Sequence, residues 1–330
     1  MDVLLANPRS FCSGVDRAIA IVEQALESFG APVYVYHEIV HNNVVLGALS
    51  GKGAHFITSL DEAPNGAVLV FNAHGVPQRI MREAEHRGMR VFDATCPLVN
   101  KVHHEVVRHR AQGREVILVG QAKHDEIIGT MGQVEGGVHV VETVADVARV
   151  TVQDPLRVAW ATQTTLSLDE AAELVGAIRA RFPDAVGPKT DDVCYASQNR
   201  QSAVKMMAPK CDVIIVVGSV QSHNTGRLAA VAEEHGARAY RVDRAEQVDP
   251  AWLVGAARVG VTAGASAPPQ LVNDVVAMLK AAGATRVHEL DGPEEKVTFP
   301  MPKGMRPMRS SFSALGRSGL AMSSQMRLGA

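Results

Sequence analysis

Several features that would point at once to a functional class are scarce in this chain. Aromatic residues make up 4% of it, Lys+Arg (33) nearly balance Asp+Glu (35), and a net charge of −2 provides no basic field for nucleic acid. No apolar run reaches the roughly 18 residues of a membrane-spanning helix. The apolar start of the chain is too short for a secretory signal. We therefore expect a cytoplasmic protein that binds neither membranes nor nucleic acids.

Common nucleotide and metal motifs are missing as well. The chain has neither a G-x-x-x-x-G-K-[ST] phosphate loop nor a G-x-G-x-x-G turn, which argues against a nucleoside triphosphate or a dinucleotide bound in the usual way. It has four cysteines but no C-x-x-C pair, so neither a disulfide framework nor a typical structural zinc site is indicated.

Three of those cysteines share a context. Cys12, Cys96 and Cys194 each follow a short apolar or extended run and precede a helical pattern, whereas Cys211 opens the apolar run CDVIIVVG and is predicted to be a buried strand residue. Three equivalent turns that meet at one point would hold a metal centre with three protein ligands and one open position. The spacing alone leaves an iron–sulfur cluster, zinc and unrelated buried cysteines open.

The chain repeats one pattern of elements three times: strand, cysteine, helix, strand, polar turn, helix, strand, polar turn. Short apolar strands that alternate with helical patterns predict an α/β fold with parallel sheets covered on both faces. Glycines that stop helices are expected at Gly30, Gly113 and Gly236. The predicted segments are three pseudo-equivalent α/β domains (1–96, 97–190 and 191–283), a segment that packs back on them (284–306) and a disordered tail (307–330).

Ligands of parallel sheets bind beyond the carboxyl ends of the strands, and the loops predicted there are rich in His, Ser, Thr and Asn. Their neutral donors and histidines suit an anion such as a diphosphate. The candidates for this role are His41, His74, His124, Ser222, Asn224 and Ser266.

A carboxylic acid in one of these loops is the candidate proton donor at an open metal position. Glu126 follows His124 by two residues, and Asp125 competes with it for the role. Thr164 ends the strand WATQTT, where it is suited to orient a substrate or pass a proton.

The run His103-His104-Glu105 lacks the spacing of a zinc protease motif, because the second histidine of H-E-x-x-H would fall on Arg108. We interpret this run, together with Lys101, as a solvated helix face.

Together these residues resemble the 4-hydroxy-3-methylbut-2-enyl diphosphate reductase family, over roughly residues 1–306. The matching segments are ANPRSFCSGVDRAI, HEIVHN, FNAHGVP, FDATCPLV, KHDEIIGTMGQ, TQTTLS, the Cys194 turn and a G-S-x-x-S-x-N stretch. The resemblance implies a trefoil of three α/β domains around a central [4Fe–4S] cluster. It also implies a reductive removal of the substrate's C4 hydroxyl that yields isopentenyl and dimethylallyl diphosphates, the last step of the methylerythritol phosphate route, with electrons from an external donor such as ferredoxin or flavodoxin.

The resemblance also assigns residues to roles. Cys12, Cys96 and Cys194 are the implied cluster ligands, which leaves one iron open for the substrate's oxygen. Glu126 is the implied proton source, and Thr164 lies near the substrate hydroxyl with Gln163 beside it. The implied diphosphate-binding residues are His41, His74, His124, Ser222, Asn224 and Ser266.

One position departs from the family pattern. Where the family commonly has a serine pair before the asparagine, this chain has Gln221-Ser222-His223-Asn224. We expect His223 to be able to donate to a phosphate oxygen and to make anion binding more sensitive to pH.

Overall fold

The computed structural model describes residues 1–306 and 308–313. Strands and helices alternate along this part of the chain. The strands are β1 (Asp2–Leu5), β2 (Val33–Tyr36), β3 (Ala54–Ile57), β4 (Val68–Phe71), β5 (Arg90–Asp93), β6 (Glu115–Val119), β7 (Val138–Val141), β8 (Val158–Thr162), β9 (Val213–Val217), β10 (Arg238–Val242), β11 (Arg258–Ala263) and β12 (Arg286–Glu289). The α-helices are α1 (Ser13–Phe29), α2 (Asn43–Gly51), α3 (Gln78–His86), α4 (Pro97–Ala111), α5 (Asp125–Met131), α6 (Val144–Arg149), α7 (Leu168–Arg181), α8 (Tyr195–Met207), α9 (His223–Glu234) and α10 (Pro269–Ala281).

The strands form three sheets within the described residues, and every pairing between them is parallel. The strand orders are β10-β9-β11-β1-β12, β3-β2-β4-β5 and β7-β6-β8. The predicted α/β class with parallel sheets is confirmed. The predicted glycine stops are confirmed too, since Gly30, Gly113 and Gly236 have φ values of +74°, +72° and +91°. Among these helices, none is at once long and apolar enough to cross a bilayer.

Side chains of the central strands pack alternately into two separate hydrophobic cores, one on each face of the sheet. These strands are therefore apolar throughout. In β9, Ile215 and Val217 belong to one buried cluster while Ile214 and Val216 belong to another. In β6, Ile117 and Val119 likewise lie opposite Val116 and Leu118. Successive strand residues point to opposite faces, so a sheet covered on both faces requires a continuous apolar run.

The chain divides into two compact units. The first comprises residues 1–24 and 40–51 and the described residues from 199 onward, and it contains the five-stranded sheet. The second comprises residues 25–39 and 52–198, and it contains the four-stranded and three-stranded sheets. Two of the three sheets therefore belong to one compact unit.

The N-terminal strand lies in a different sheet from the one predicted. The segment 1–96 was expected to hold β1 together with the strands that follow it, but β1 pairs with β11 on one side and with β12 on the other. Its partner β12 (Arg286–Glu289) lies in the segment predicted to pack back on the domains.

The prediction of a disordered tail from Pro307 is wrong for residues 308–313. Ser310 is fully buried, and its N–H and Oγ lie 3.1 and 2.5 Å from Asp16 Oδ1. Ser311 bonds through its N–H and Oγ to the two carboxylate oxygens of Glu23, at 2.8 and 2.5 Å. Apolar patterning did not indicate this segment because serine hydroxyls, rather than an apolar face, bind it to α1. Residue 307 and residues 314–330 lie outside the described part.

Leu118→Ala should lower the free energy of unfolding by about 2–5 kcal/mol, because Leu118 is fully buried in β6 and its removal leaves a cavity. The matched control is Leu156→Ala, since the Leu156 side chain is 67% exposed and its loss should change stability by no more than about 0.5 kcal/mol. Urea unfolding followed by circular dichroism measures both. Equal effects of the two changes would contradict the assignment of Leu118 to a core.

Candidate functional site

Cys12, Cys96 and Cys194 each stand immediately before the first residue of a helix, α1, α4 and α8 respectively. Each cysteine carbonyl accepts the first i→i+4 bond of its helix. The donors are the N–H groups of Asp16 (3.0 Å), Asn100 (2.9 Å) and Gln198 (3.0 Å). Since a helix N terminus stabilises negative charge, all three positions suit an anionic sulfur ligand.

The backbone N–H of each cysteine makes a second equivalent bond, to a carbonyl in a polar loop. The acceptors are Ala265 for Cys12 (3.4 Å), Ala73 for Cys96 (2.9 Å) and Thr164 for Cys194 (3.0 Å). These loops follow β11, β4 and β8, which are the strands that end each predicted repeat. The three cysteine turns are thus built by the same hydrogen bonds, although their sequences share few letters.

The thiols themselves differ from that of Cys211. All four cysteines are free of disulfides, and Cys12, Cys96 and Cys194 are partly exposed. Cys194 Sγ accepts a hydrogen bond from the N–H of Ser197 (3.3 Å). Cys211 is buried, and burial raises the pKa of its thiol to about 11. Cys211 is therefore a core residue, as predicted.

Glu126 is buried in the second unit and is held by one partner. Its Oε1 accepts the backbone N–H of Thr164 (2.6 Å) and its Oε2 accepts the Thr164 hydroxyl (2.8 Å). Burial raises the pKa of Glu126 to about 7; the bonds from Thr164 lower it, and the nearby Asp192 charge raises it. Glu126 can therefore hold or release a proton near neutral pH, and Thr164 lies within reach of that proton.

The neighbouring carboxylate, Asp125, has a different environment. Its Oδ1 lies 3.2 Å from Nδ1 of His37, and this hydrogen bond raises the pKa of His37. His37 has φ +58°, a backbone conformation that non-glycine residues seldom adopt. Asp125 is thus bound to a partly exposed histidine, whereas Glu126 faces a buried threonine.

Asp192 is a second acid near Glu126, and its charge acts on the Glu126 carboxyl. No sequence motif indicates it. It is buried two residues before Cys194, its Oδ2 accepts the N–H of Thr162 (3.0 Å), and burial raises its pKa. Lys101 Nζ lies 3.2 Å from its Oδ1. In the sequence, Asp192 is simply an acid two residues before a cysteine. An acid in an exposed turn has the same pattern, so the sequence does not indicate that Asp192 is buried.

The interpretation of the His103–Glu105 run as a solvated helix face is wrong for His103, which is buried, whereas Lys101 remains 29% exposed. Lys101 donates to the carbonyls of Thr190 (2.7 Å) and Asp191 (2.8 Å), so it ties the helix after Cys96 to the turn before Cys194. His103 is 6% exposed, and burial lowers its pKa to about 4. It lies against Gly75 so closely that a Cβ added there would be 2.5 Å from His103 Cε1, which only glycine permits.

Two of the predicted histidines lie side by side in the second unit. The rings of His74 and His124 are edge to face, with centroids 5.5 Å apart. His124 caps α5, and its Nδ1 accepts the N–H of Glu126 (3.1 Å). Because Nδ1 acts as an acceptor, the Nε2 of a neutral His124 carries the proton and is the donor available to an anion.

The first unit brings together the predicted serine, asparagine and histidine positions. Ser266 Oγ lies 3.2 Å from the carbonyl oxygen of His41 and 3.3 Å from Ser222 Oγ. Ser222 caps α9 by accepting the N–H of Thr225 (3.3 Å). Asn224 Oδ1 accepts the N–H of Ala265 (2.9 Å), in the same loop that anchors Cys12. These are small hydroxyl and amide groups at the N terminus of a twelve-residue helix, which is a favourable place for an anion.

Asn42 follows His41 in the same loop and caps the next helix. It is buried, and its Oδ1 accepts the N–H groups of Val44 (3.1 Å) and Val45 (3.2 Å) at the start of α2. An asparagine before an apolar helical run is an N-cap signal, and this is what it signifies here.

His223 is the first residue of α9 and is partly buried. Burial, with a further contribution from the Arg227 charge, lowers its pKa to about 4. The ring is therefore neutral at pH 7, against the expectation that His223 makes anion binding more sensitive to pH.

Comparison with known proteins assigns this chain to a family. A sequence model of the LytB protein family matches residues 3–280. A 4-hydroxy-3-methylbut-2-enyl diphosphate reductase from Aromatoleum aromaticum is 60% identical over 305 residues, which cover 92% of this chain and 98% of that protein. One from Bordetella pertussis is 58% identical over 304 residues, which cover 92% and 94%.

Solved structures agree with the sequence matches. The E-1-hydroxy-2-methyl-but-2-enyl-4-diphosphate reductase from Plasmodium falciparum has a TM-score of 0.89 and 35% identity, and the match covers 97% of this chain and 99% of that one. A structure of (E)-4-hydroxy-3-methyl-but-2-enyl diphosphate reductase, the terminal enzyme of the non-mevalonate pathway, has a TM-score of 0.62 and 32% identity, with 85% and 100% covered. On these matches the chain belongs to the LytB protein family.

Proposed function

We propose that this chain is a 4-hydroxy-3-methylbut-2-enyl diphosphate reductase that removes the C4 hydroxyl of its substrate and yields isopentenyl and dimethylallyl diphosphates. The names of relatives up to 60% identical support the reaction. The observation in the structure that carries it is the buried acid Glu126, held by Thr164 in the unit that also presents Cys96 and Cys194 at helix N termini.

Cys12, Cys96 and Cys194 are the proposed ligands of one [4Fe–4S] cluster. Three partly exposed thiols that form no disulfide and stand at helix N termini fit such a group, because the helix ends stabilise the charge of the thiolates. The bond from the N–H of Ser197 to Cys194 Sγ adds a donor of the kind that tunes cluster thiolates. When bound, the cluster supplies electrons and an iron without a protein ligand that acts as a Lewis acid.

The diphosphate is proposed to bind to neutral donors rather than to lysines or arginines. Among these donors are Ser222 and Asn224 at the N terminus of α9, Ser266 beside them, and the Nε2 proton of His124. His41, His74 and His223 complete the proposed set, with His223 neutral at pH 7. A preformed set of dipoles binds an anion without the cost of burying a further charge.

Glu126 is the proposed proton donor. The hydroxyl leaves as water after it receives the Glu126 proton, two electrons reduce the remaining allylic group, and a second proton completes the new C–H bond. The Thr164 hydroxyl orients the Glu126 carboxyl and lies on the proton's path. An external one-electron carrier such as ferredoxin or flavodoxin supplies the electrons.

Cys96→Ala should abolish retention of a complete cluster, because one thiolate ligand is lost. Anaerobic purification with iron analysis and a visible spectrum measures this. The matched control is Cys211→Ala, which should keep the full iron content, since Cys211 is buried in a core and is not a proposed ligand. A complete cluster in the Cys96 variant would remove that residue from the ligand set.

Glu126→Gln should reduce turnover by about 10²–10⁴-fold while KM changes little, because the amide keeps the shape but cannot donate the proton. Reduction of the allylic diphosphate with a chemical reductant gives both constants. Glu173→Gln, an exposed change on α7, is the control and should leave turnover unchanged. Near-normal turnover in the Glu126 variant would exclude it as the proton donor.

Turnover should fall as pH rises through about 7, because the acid form of Glu126 is lost above its pKa. Thr164→Val should move this fall to higher pH, since the hydroxyl bond that it removes lowers the pKa of Glu126. The profile of kcat against pH tests both statements, with Thr151→Val, an exposed loop position, as the control. A profile that does not move in the Thr164 variant, or moves to lower pH, would contradict the assignment.

A further inference from the structure

Arg200, on α8, is the largest fully buried side chain among the described residues. Its guanidinium donates to the turn that carries Cys12: Nε to the Ser10 carbonyl (2.9 Å), Nη2 to the same carbonyl (2.7 Å) and to the Phe11 carbonyl (3.1 Å). Three of its hydrogen bonds therefore end on the two residues that precede Cys12.

That turn has a backbone conformation that needs support. Ser10 has φ +61°, in the left-handed region that non-glycine residues seldom occupy. Strained residues of this kind persist only where the surroundings determine them, and here the surroundings are the Arg200 guanidinium. Nothing in the family resemblance or in the proposed reaction assigns Arg200 a role.

The Arg200 guanidinium forms an ion pair with Glu295. Glu295 Oε1 lies 2.9 Å from Nη1 and Oε2 lies 3.3 Å from Nη2, and Asn199 Nδ2 donates to Oε1 (3.1 Å). The pair is almost dry, since the side chains are 0% and 13% exposed. In such a place an unpaired guanidinium is strongly unfavourable, so the position of Arg200 depends on Glu295.

Glu295 belongs to a C-terminal segment, described over residues 294–306 and 308–313, that contacts the Cys12 turn and α1. Besides the Glu295 contact, Arg17 Nε donates to the carbonyl of Pro300 (2.7 Å) and Ser13 Oγ donates to that of Val297. Cys12 and this segment line a common cavity of about 470 Å³. A small reagent in this cavity can reach the Cys12 thiol, and the segment forms part of its wall.

We propose that Arg200 and Glu295 are positioning residues for Cys12: the buried ion pair holds the Ser10–Phe11 turn and so sets the direction and shielding of the Cys12 thiol. Neither residue touches substrate or reacting atoms in this proposal. The consequence for cluster retention rests on the proposed function, while the effect on the thiol itself does not.

The test begins with the metal-free protein, in which the three thiols report on their own surroundings. Glu295→Gln should increase the rate of alkylation of Cys12 by iodoacetamide about tenfold or more, as expected for the loss of a charge-assisted hydrogen bond. Peptide mass spectrometry follows Cys12, Cys96 and Cys194 in the same sample, so the other two thiols are internal controls that should not change.

Glu294→Gln is the matched control, because Glu294 is exposed and its recorded ion pair is a surface one with Lys296. It should leave all three rates unchanged. Arg200→Lys is the second variant: it keeps the positive charge but loses the forked donors, and it should also raise the Cys12 rate selectively. An unchanged Cys12 rate in both variants, or an equal rise at all three cysteines, would overturn the proposal.

A second measurement separates this proposal from the proposed function. In cluster-loaded protein, Glu295→Gln should release iron to a chelator faster than Glu294→Gln. A selective rise in Cys12 alkylation without faster iron release would uphold the positioning role and overturn Cys12 as a ligand.

Discussion

The site depends on one repeated constraint, which is that each cysteine is held at a helix N terminus by two backbone hydrogen bonds. The cysteine carbonyl accepts the first bond of its own helix, and the cysteine N–H donates to a polar loop at the end of a neighbouring strand. These main-chain bonds fix the backbone position of each cysteine at the start of its helix. Because the loops that accept these bonds also carry His74, Thr164 and Ser266, the same bonds place the proposed substrate groups next to the cysteine turns.

Buried ionisable groups differ in how their charge is stabilised at the proposed active site and at the Arg200–Glu295 pair. The proposed anion-binding groups are neutral hydroxyls, amides and imidazoles, and His223 is kept neutral by burial. Burial raises the pKa of Glu126 to about 7, so this acid can carry a proton near neutral pH. Arg200, which cannot lose its proton, is instead paired with Glu295.

Much of the site follows from local patterns. Apolar strands, glycine stops and the residues around each cysteine are short-range signals, and they predict the α/β class and the equivalence of the cysteine turns. The role of Cys211 also follows from its apolar run. The roles of His103 and Arg200 do not, because each is buried by residues distant in the chain. The contacts of Lys101 do not either, because its acceptors lie about ninety positions further along the chain.

The amino-acid sequence by itself determined the chemistry of this protein: which residue types stand after which strands, and therefore three thiols, a set of neutral donors and one carboxylic acid. Only the tertiary structure decided between Asp125 and Glu126 as the buried acid, placed β1 beside β11, and set the C-terminal segment on the Cys12 turn. The physical reason is that side-chain type and strand periodicity are local properties. A pKa, a parallel pairing and the partner of a buried charge depend instead on groups that folding brings from far along the chain.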